Sequence, residues 1–200
     1  MAERTFFPRS SSPLLLLLGG TGDARPQLAT AFCQTAGADC VEVDLGMGES
    51  PQLNDWVNRL NLAIYRAGRP VLLVANGLGC LVAAWWAEFE RPSFADPVAG
   101  AFLIDPPDVD RAGQDPRLAR LCASPRQPLP FPSALVASGE RGLRDIHSLR
   151  RLAQDWQSTL VEGDDARPTM LGRARAAWPA GRYFLRRWLK PQSIGYLAAG

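Results

Sequence analysis

The chain has 200 residues, 46% hydrophobic and 21% charged, with a formal net charge of +2, the figures of one ordinary soluble globular domain. Cys33, Cys40, Cys80 and Cys122 form no CxxC pair, and the only histidine is His147, so no zinc site is expected. No stretch approaches the ~18 apolar residues of a membrane span.

Residues 1–12 read as a polar, loose N-terminus. Leu14–Leu18 is a short apolar run stopped by Gly19-Gly20, as a buried strand would be. It is shorter than the ~7–15 residues of a secretory core, so it is not read as a signal peptide. Pro26–Ala36 suits a helix with proline in its first turn. Asp39–Leu45 alternates and is read as a second strand. Ser50 is placed to cap a helix in which Leu53, Trp56, Val57, Leu60 and Ile64 recur at helical spacing. Gly68 and Pro70 stop it. Val71–Ala75 is a third strand, Leu78–Phe89 a deeply packed apolar helix, and Val98–Ile104 a fourth strand ended by "DPPDVD". Residues 111–132 read as a long loop with one short helix. A fifth strand at Ser133–Ser138, a helix at Leu143–Trp156 and a sixth strand at Ser158–Glu162 follow. The remainder carries a helix around Arg182–Leu189 and a polar tail.

Strands apolar on both faces, alternating with helices, predict an α/β fold: a doubly wound, mostly parallel sheet of about six strands. The expected divisions are a flexible segment at 1–12, one domain at 13–190 and a C-terminal tail at 191–200. Ligands of such sheets bind beyond the carboxyl ends of the strands. That places Gly19–Thr21, Asn76–Gly79, Asp105–Asp108, Gly139–Gly142 and Gly163–Arg167 on one rim. Scattered cysteines in apolar surroundings read as free thiols, and the chain as cytoplasmic.

Four segments carry a family resemblance: "LNDWVNRL" at 53–60, "VLLVANGLGCLVAAWWA" at 71–87, "GAFLIDPPDVD" at 100–110 and "PLPFPSALVAS" at 128–138. "WPAG" at 178–181 is a weaker fifth. In content and order they resemble the small single-domain serine hydrolases of the α/β-hydrolase fold, the retinoblastoma-binding serine hydrolase-like group and its bacterial branch. The resemblance covers roughly residues 50–165. It implies nucleophilic catalysis by serine, an acid and histidine in that chain order.

All three positions depart from that pattern. In relatives the nucleophile elbow reads His-Ser-Leu-Gly-Cys; here it is Asn76-Gly77-Leu78-Gly79-Cys80, so the serine position is Gly77. The acid segment, Ser-x-Asp-Asp-Pro in relatives, is Ser138-Gly139-Glu140-Arg141-Gly142. Arg141 stands in the acid's place, with Glu140 as a residual acid one residue earlier. The Gly-Asp-x-Gly-His segment is Gly163-Asp164-Asp165-Ala166-Arg167, which puts Arg167 in the place of the base. Glycine offers no nucleophile, and arginine stays protonated and cannot act as a general base. His147, in the helix after the acid loop, is not expected to reach the elbow.

The resemblance therefore implies a non-catalytic relative, a pseudohydrolase acting as an interaction, assembly or regulatory subunit. Two rivals stand beside it. One is a small-molecule sensor using the vacated site. There the amides of Leu78 and of Gly20 or Thr21, with Asn76, Gly77, Arg141 and Arg167, would receive an anionic or acyl ligand. The other is an active esterase with relocated catalytic groups. Cys80 as a substitute nucleophile, and Ser138 with His147 as an improvised pair, are the weaker forms of that idea; Cys80 reads better as a structural thiol.

No cofactor or metal is expected. Past Asp165 there is no acidic residue, and the segment mixes arginines with aromatics: Arg182, Tyr183, Phe184, Arg186, Arg187 and Trp188. The plain reading is a last helix whose aromatic face docks on the sheet. The alternatives are a surface for an acidic protein partner or, less favoured, a membrane-surface helix. Without a recognised module, nucleic-acid binding is not expected.

Overall fold

The computed structural model describes residues 13–19, 39–46, 52–90, 97–108, 125–137 and 143–161, with the side chains of 143–145 excepted. The expected segments at 1–12, 26–36, 111–124 and 182–200 lie outside the described residues.

Six strands form one sheet: β1 (Leu14–Gly19), β2 (Cys40–Asp44), β3 (Val71–Asn76), β4 (Val98–Ile104), β5 (Ser133–Val136) and β6 (Thr159–Val161). Their order is β2-β1-β3-β4-β5-β6, and every neighbouring pair is parallel. The sequence expectation of a mostly parallel α/β sheet holds, with no antiparallel pair among the described strands. Three helices are described: α1 (Leu53–Ala67), α2 (Leu78–Phe89) and α3 (Leu143–Asp155).

The unbroken apolar runs of β1 and β3 follow from burial on both faces. Leu14, Leu16 and Leu18 share one core with Leu73, Leu103 and Leu135, and with the inward sides of all three helices. The residues between them on the strands, among them Leu15, Leu72 and Phe102, point to the second face and are equally buried. The connections β2→β3, β3→β4 and β5→β6 all step the same way across the sheet. Right-handed crossovers therefore put α1, α2 and α3 on a single face.

Helix α1 is amphipathic, burying Trp56, Val57, Leu60 and Ile64 while Arg59, Tyr65 and Arg66 face out. It ends at Gly68, whose φ of 60° is the left-handed cap a glycine supplies. Its start corrects the sequence reading. The N-cap is Gln52, which makes no side-chain capping bond, and not Ser50. A capping side chain marks where a helix could begin. The first carbonyl to accept is that of Gln52, taking the amides of Asp55 and Trp56 at 3.0 and 3.3 Å.

Helix α2 is apolar almost all round because it is covered almost all round. Trp86 Nε1 donates to Asn61 Oδ1 of α1 at 3.4 Å, and its ring lies 6.4 Å from that of Phe131. The loop before β5 is anchored by Trp156, whose Nε1 donates to the Pro125 carbonyl at 2.7 Å. Trp56, also buried, has no hydrogen-bond partner for its Nε1.

A second correction concerns the thiols. Cys80 is free and buried, but Cys40 is disulfide-bonded, its partner lying outside the described residues. Spacing along a chain does not report whether two Cα atoms come within the ~4.4–6.8 Å a bridge needs. The expectation of four free thiols is thereby overturned at Cys40. No helix among the described residues is long and apolar enough to cross a membrane.

Candidate functional site

The rim at the carboxyl ends of the strands is built around the turn from β3 into α2. Asn76 closes β3, half-buried and paired in register with Ile104. Gly77 then takes φ 55° and ψ −123°. This is the sharp strand-to-helix elbow that would lift a side chain at this position above the sheet. A residue with a Cβ holds such a conformation at a cost of ~1–3 kcal/mol, and glycine holds it freely.

Two bonds fix the turn. The Gly77 amide donates to the Ile104 carbonyl at 3.0 Å, and the Cys80 amide donates to the Gly77 carbonyl at 3.1 Å. No side chain caps the helix, so the first amides of α2, at Leu78 and Gly79, keep their donor capacity at the positive end of the helix.

Gly79 is needed for a different reason. A Cβ there would lie 2.7 Å from the Leu18 carbonyl oxygen and 3.3 Å from the Leu18 Cβ. The first turn of α2 thus rests directly on the end of β1, with no room for a methyl group. The contact also brings the end of β1 up to the elbow. Gly20 and Thr21 lie outside the described residues.

Cys80 does not face the site. It is fully buried, with Sγ 3.4 Å from the carbonyl oxygens of both Ala75 and Ile104. A thiol directed into the sheet beneath the elbow has no path to a substrate, so a nucleophilic role for it falls away.

One rim residue went unweighed as a site residue in the sequence: Asp105. It follows β4 directly beside the elbow, donates its amide to the Val136 carbonyl at 2.9 Å, and holds φ 48°. For a non-glycine residue that conformation costs roughly 1–2 kcal/mol. The available signal was an aspartate at the carboxyl end of the strand next to the elbow, in "LIDPP".

Further out, Ser148 Oγ donates to Asp108 Oδ1 at 3.0 Å, tying the β4 loop to α3. Beside that bond Pro106, Pro107, Arg126, Leu149 and Leu152 flank a shallow depression open to solvent. Arg126 pairs there with Asp155 at 3.0 Å. The lining of the depression does not include the elbow.

Of the expected site residues, the structure describes Asn76, Gly77 and Leu78 and brings them together. Glu140, Arg141 and Arg167, and the tail residues Arg182, Tyr183, Phe184, Arg186, Arg187 and Trp188, lie outside the described residues. The last described residue after β5 is Ala137, and β6 ends at Val161, so both strands lead towards the rim that holds Gly77. His147 is exposed on α3. Among the described residues no group of three or more His, Cys, Asp or Glu side chains comes together as a metal site would.

Comparison with known proteins agrees with this architecture. The esterase domain of a Rhodothermus marinus protein superposes with a TM-score of 0.57 at 17% identity, over 89% of this chain and 87% of that one. A monoacylglycerol lipase from Paleococcus ferrophilus gives 0.56 at 16% identity, over 89% and 94%. A YdeN-like hydrolase from Pectobacterium atrosepticum gives 0.55 at 19% identity, over 90% of both chains. At these identities the likeness is one of fold. A search of curated protein sequences gave no match. The serine hydrolase family model matches residues 20–187, nearly the whole domain, elbow included. With that match and the parallel sheet beneath it, the chain belongs to the serine hydrolase family.

Proposed function

We propose that this protein is a pseudohydrolase, a family member that keeps the hydrolase scaffold, does not perform acyl transfer, and serves as an interaction, assembly or regulatory subunit. The observation that carries the reading is Gly77: the elbow has its turn, φ 55° and ψ −123°, and no side chain on it. Acyl transfer through a covalent intermediate needs a nucleophile at that point and a base within hydrogen-bond reach of it. Alignment by motif puts Arg141 and Arg167 in the acid and base positions, and guanidinium groups do neither job. The single histidine is exposed on α3. The protein partner is expected to be acidic and to meet the basic C-terminal segment.

A fluorophosphonate probe with a panel of short- and long-chain esters tests the negative half. The expected result is labelling and turnover no higher than in heat-denatured protein. Site-specific labelling of the native chain would reinstate the active-esterase reading. Affinity capture with and without residues 178–200 tests the positive half: the acidic partner should be lost with the segment.

A second reading rests on the uncapped N-terminus of α2 at the emptied elbow. The amides of Leu78 and Gly79 suit a carboxylate or phosphate, and the motif alignment assigns Arg141 and Arg167 to loops of the same site. Titration calorimetry with such anions should give heat that is lost in Arg167→Ala; absence of heat across the panel disposes of this reading.

A further inference from the structure

Among the described residues the exposed large hydrophobic side chains are Val41, Leu62, Tyr65 and Phe89, and all but Val41 gather on the outer side of the α1–α2 pair. Leu62 is 46% exposed, Tyr65 77% and Phe89 51%. The bond from Trp86 Nε1 to Asn61 Oδ1 fixes the level at which the two helices meet. Tyr65 stands one turn beyond Asn61 and Phe89 one turn beyond Trp86, so the two exposed rings continue the same seam. The Phe89 ring stacks on that of Trp85 with centroids 5.4 Å apart, which limits its freedom before any partner arrives.

Charge flanks this patch with opposite signs. On α1, Arg59 reaches the Asp44 carbonyl of β2 at 3.3 Å. Arg66 follows two turns later along the same side, exposed, and so marks the β2 edge of the patch. On α2, Glu88 accepts from Gln127 Nε2 at 3.1 Å, in the loop before β5, and so marks the opposite edge. The order across the surface is Arg66, Leu62, Tyr65, Phe89, Trp85, Glu88. Both helices run back along the sheet and end near the amino ends of the strands, so the row lies at one level.

Such a row is self-complementary. Turned about a two-fold axis parallel to the helices, a second copy lays its α2 on α1 and its α1 on α2. Aromatic side chains then meet aromatic ones, and each copy's Arg66 comes opposite the other copy's Glu88. An axis across the helices would lay α1 on α1 and set Arg66 against Arg66. With ~150–250 Å² per aromatic side chain, the patch offers on the order of 300–400 Å² per copy, short of the ~800 Å² per partner of a standard interface. That area suits a weak, reversible association.

We propose that this protein pairs with a second copy of itself through the Leu62–Tyr65–Phe89 surface, α1 of each against α2 of the other, with Arg66 and Glu88 setting the register. The pairing stands whether or not the protein is catalytic and makes no use of the C-terminal segment. It also leaves the elbow uncovered, because Gly77 is at the opposite ends of the strands.

Sedimentation velocity on the full chain over about 5–500 μM tests this, the range in which weak interfaces dissociate. A reversible monomer–dimer equilibrium is expected. Tyr65→Ser and Phe89→Ser should each weaken it at least ~10-fold. Arg66→Glu and Glu88→Lys should each weaken it about fivefold, and the double variant should return to within about twofold of the unmodified chain. A monomer throughout the range overturns the proposal. So does a dimer that both serine variants leave intact, or one that the double charge variant fails to restore. Thermal midpoints accompany each variant; should Phe89→Ser fail to fold, Tyr65→Ser and the charge exchange decide.

Discussion

Gly77 and Gly79 stand two residues apart in one turn and are glycine for unrelated reasons. Gly77 is a matter of torsion: its φ of 55° is held freely without a Cβ, and the position faces the rim. Gly79 is a matter of space: a Cβ there would press on the Leu18 carbonyl at 2.7 Å. The first belongs to the turn at the rim, the second to the part that seats α2 on β1. Below the elbow the packing leaves no room at Gly79, while at Gly77 the backbone conformation is what a side chain would meet.

Four changes would break or sharpen that contrast. The largest effect is expected of Gly79→Ala. The clash is with backbone, which cannot rotate aside, so about 3 kcal/mol should be lost, read as a fall in the urea midpoint. A loss below that of Gly77→Ser would mean that α2 slides easily on β1. Gly77→Ser comes next, at about 2 kcal/mol, through torsion alone. On the pseudohydrolase proposal, its new hydroxyl should stay unlabelled by fluorophosphonate. Labelling would reveal a base elsewhere and make the elbow a site awaiting only its serine.

Cys80→Ala tests the floor beneath the turn, with about 1 kcal/mol expected from the small cavity. The wild-type thiol should react with Ellman's reagent only as fast as the protein unfolds. The smallest effect is expected of His147→Ala. A change at an exposed site on α3 should stay within about 0.5 kcal/mol by the same denaturation assay and leave ester turnover at background.

The elements that could be read directly were those whose burial leaves a pattern. Leu14–Leu18, Val71–Ala75 and Val98–Ile104 announced themselves because a strand covered on both faces tolerates few polar residues. The spacing of Trp56, Leu60 and Ile64 marked α1 for the corresponding reason. Features that depend on approach between distant parts did not show. The seat of Gly79 on Leu18 needs the packing of α2 against β1, and the disulfide at Cys40 needs two Cα positions. The start of α1 at Gln52 was hidden because Ser50 has the better capping side chain while the backbone turns later. The elbow at Gly77 was legible as a motif, and its torsions bear the motif out. Asp105 was seen as part of the rim but not as a strained neighbour of the elbow, because a positive φ leaves no periodic signal.

The pairing of Leu14 with Val71 has a consequence for how the protein is made. Of the described strands β1 is synthesised first, yet its inner neighbour is β3, with all of β2 and α1 emerging between them. A chain growing from its N-terminus can pair β1 with β2 early, but the centre of the sheet waits for Val71–Asn76 to clear the ribosome. Until then the leucine run of β1 is half-covered at best, and nascent chains of this protein should be clients of whatever factors shield apolar segments at the tunnel exit.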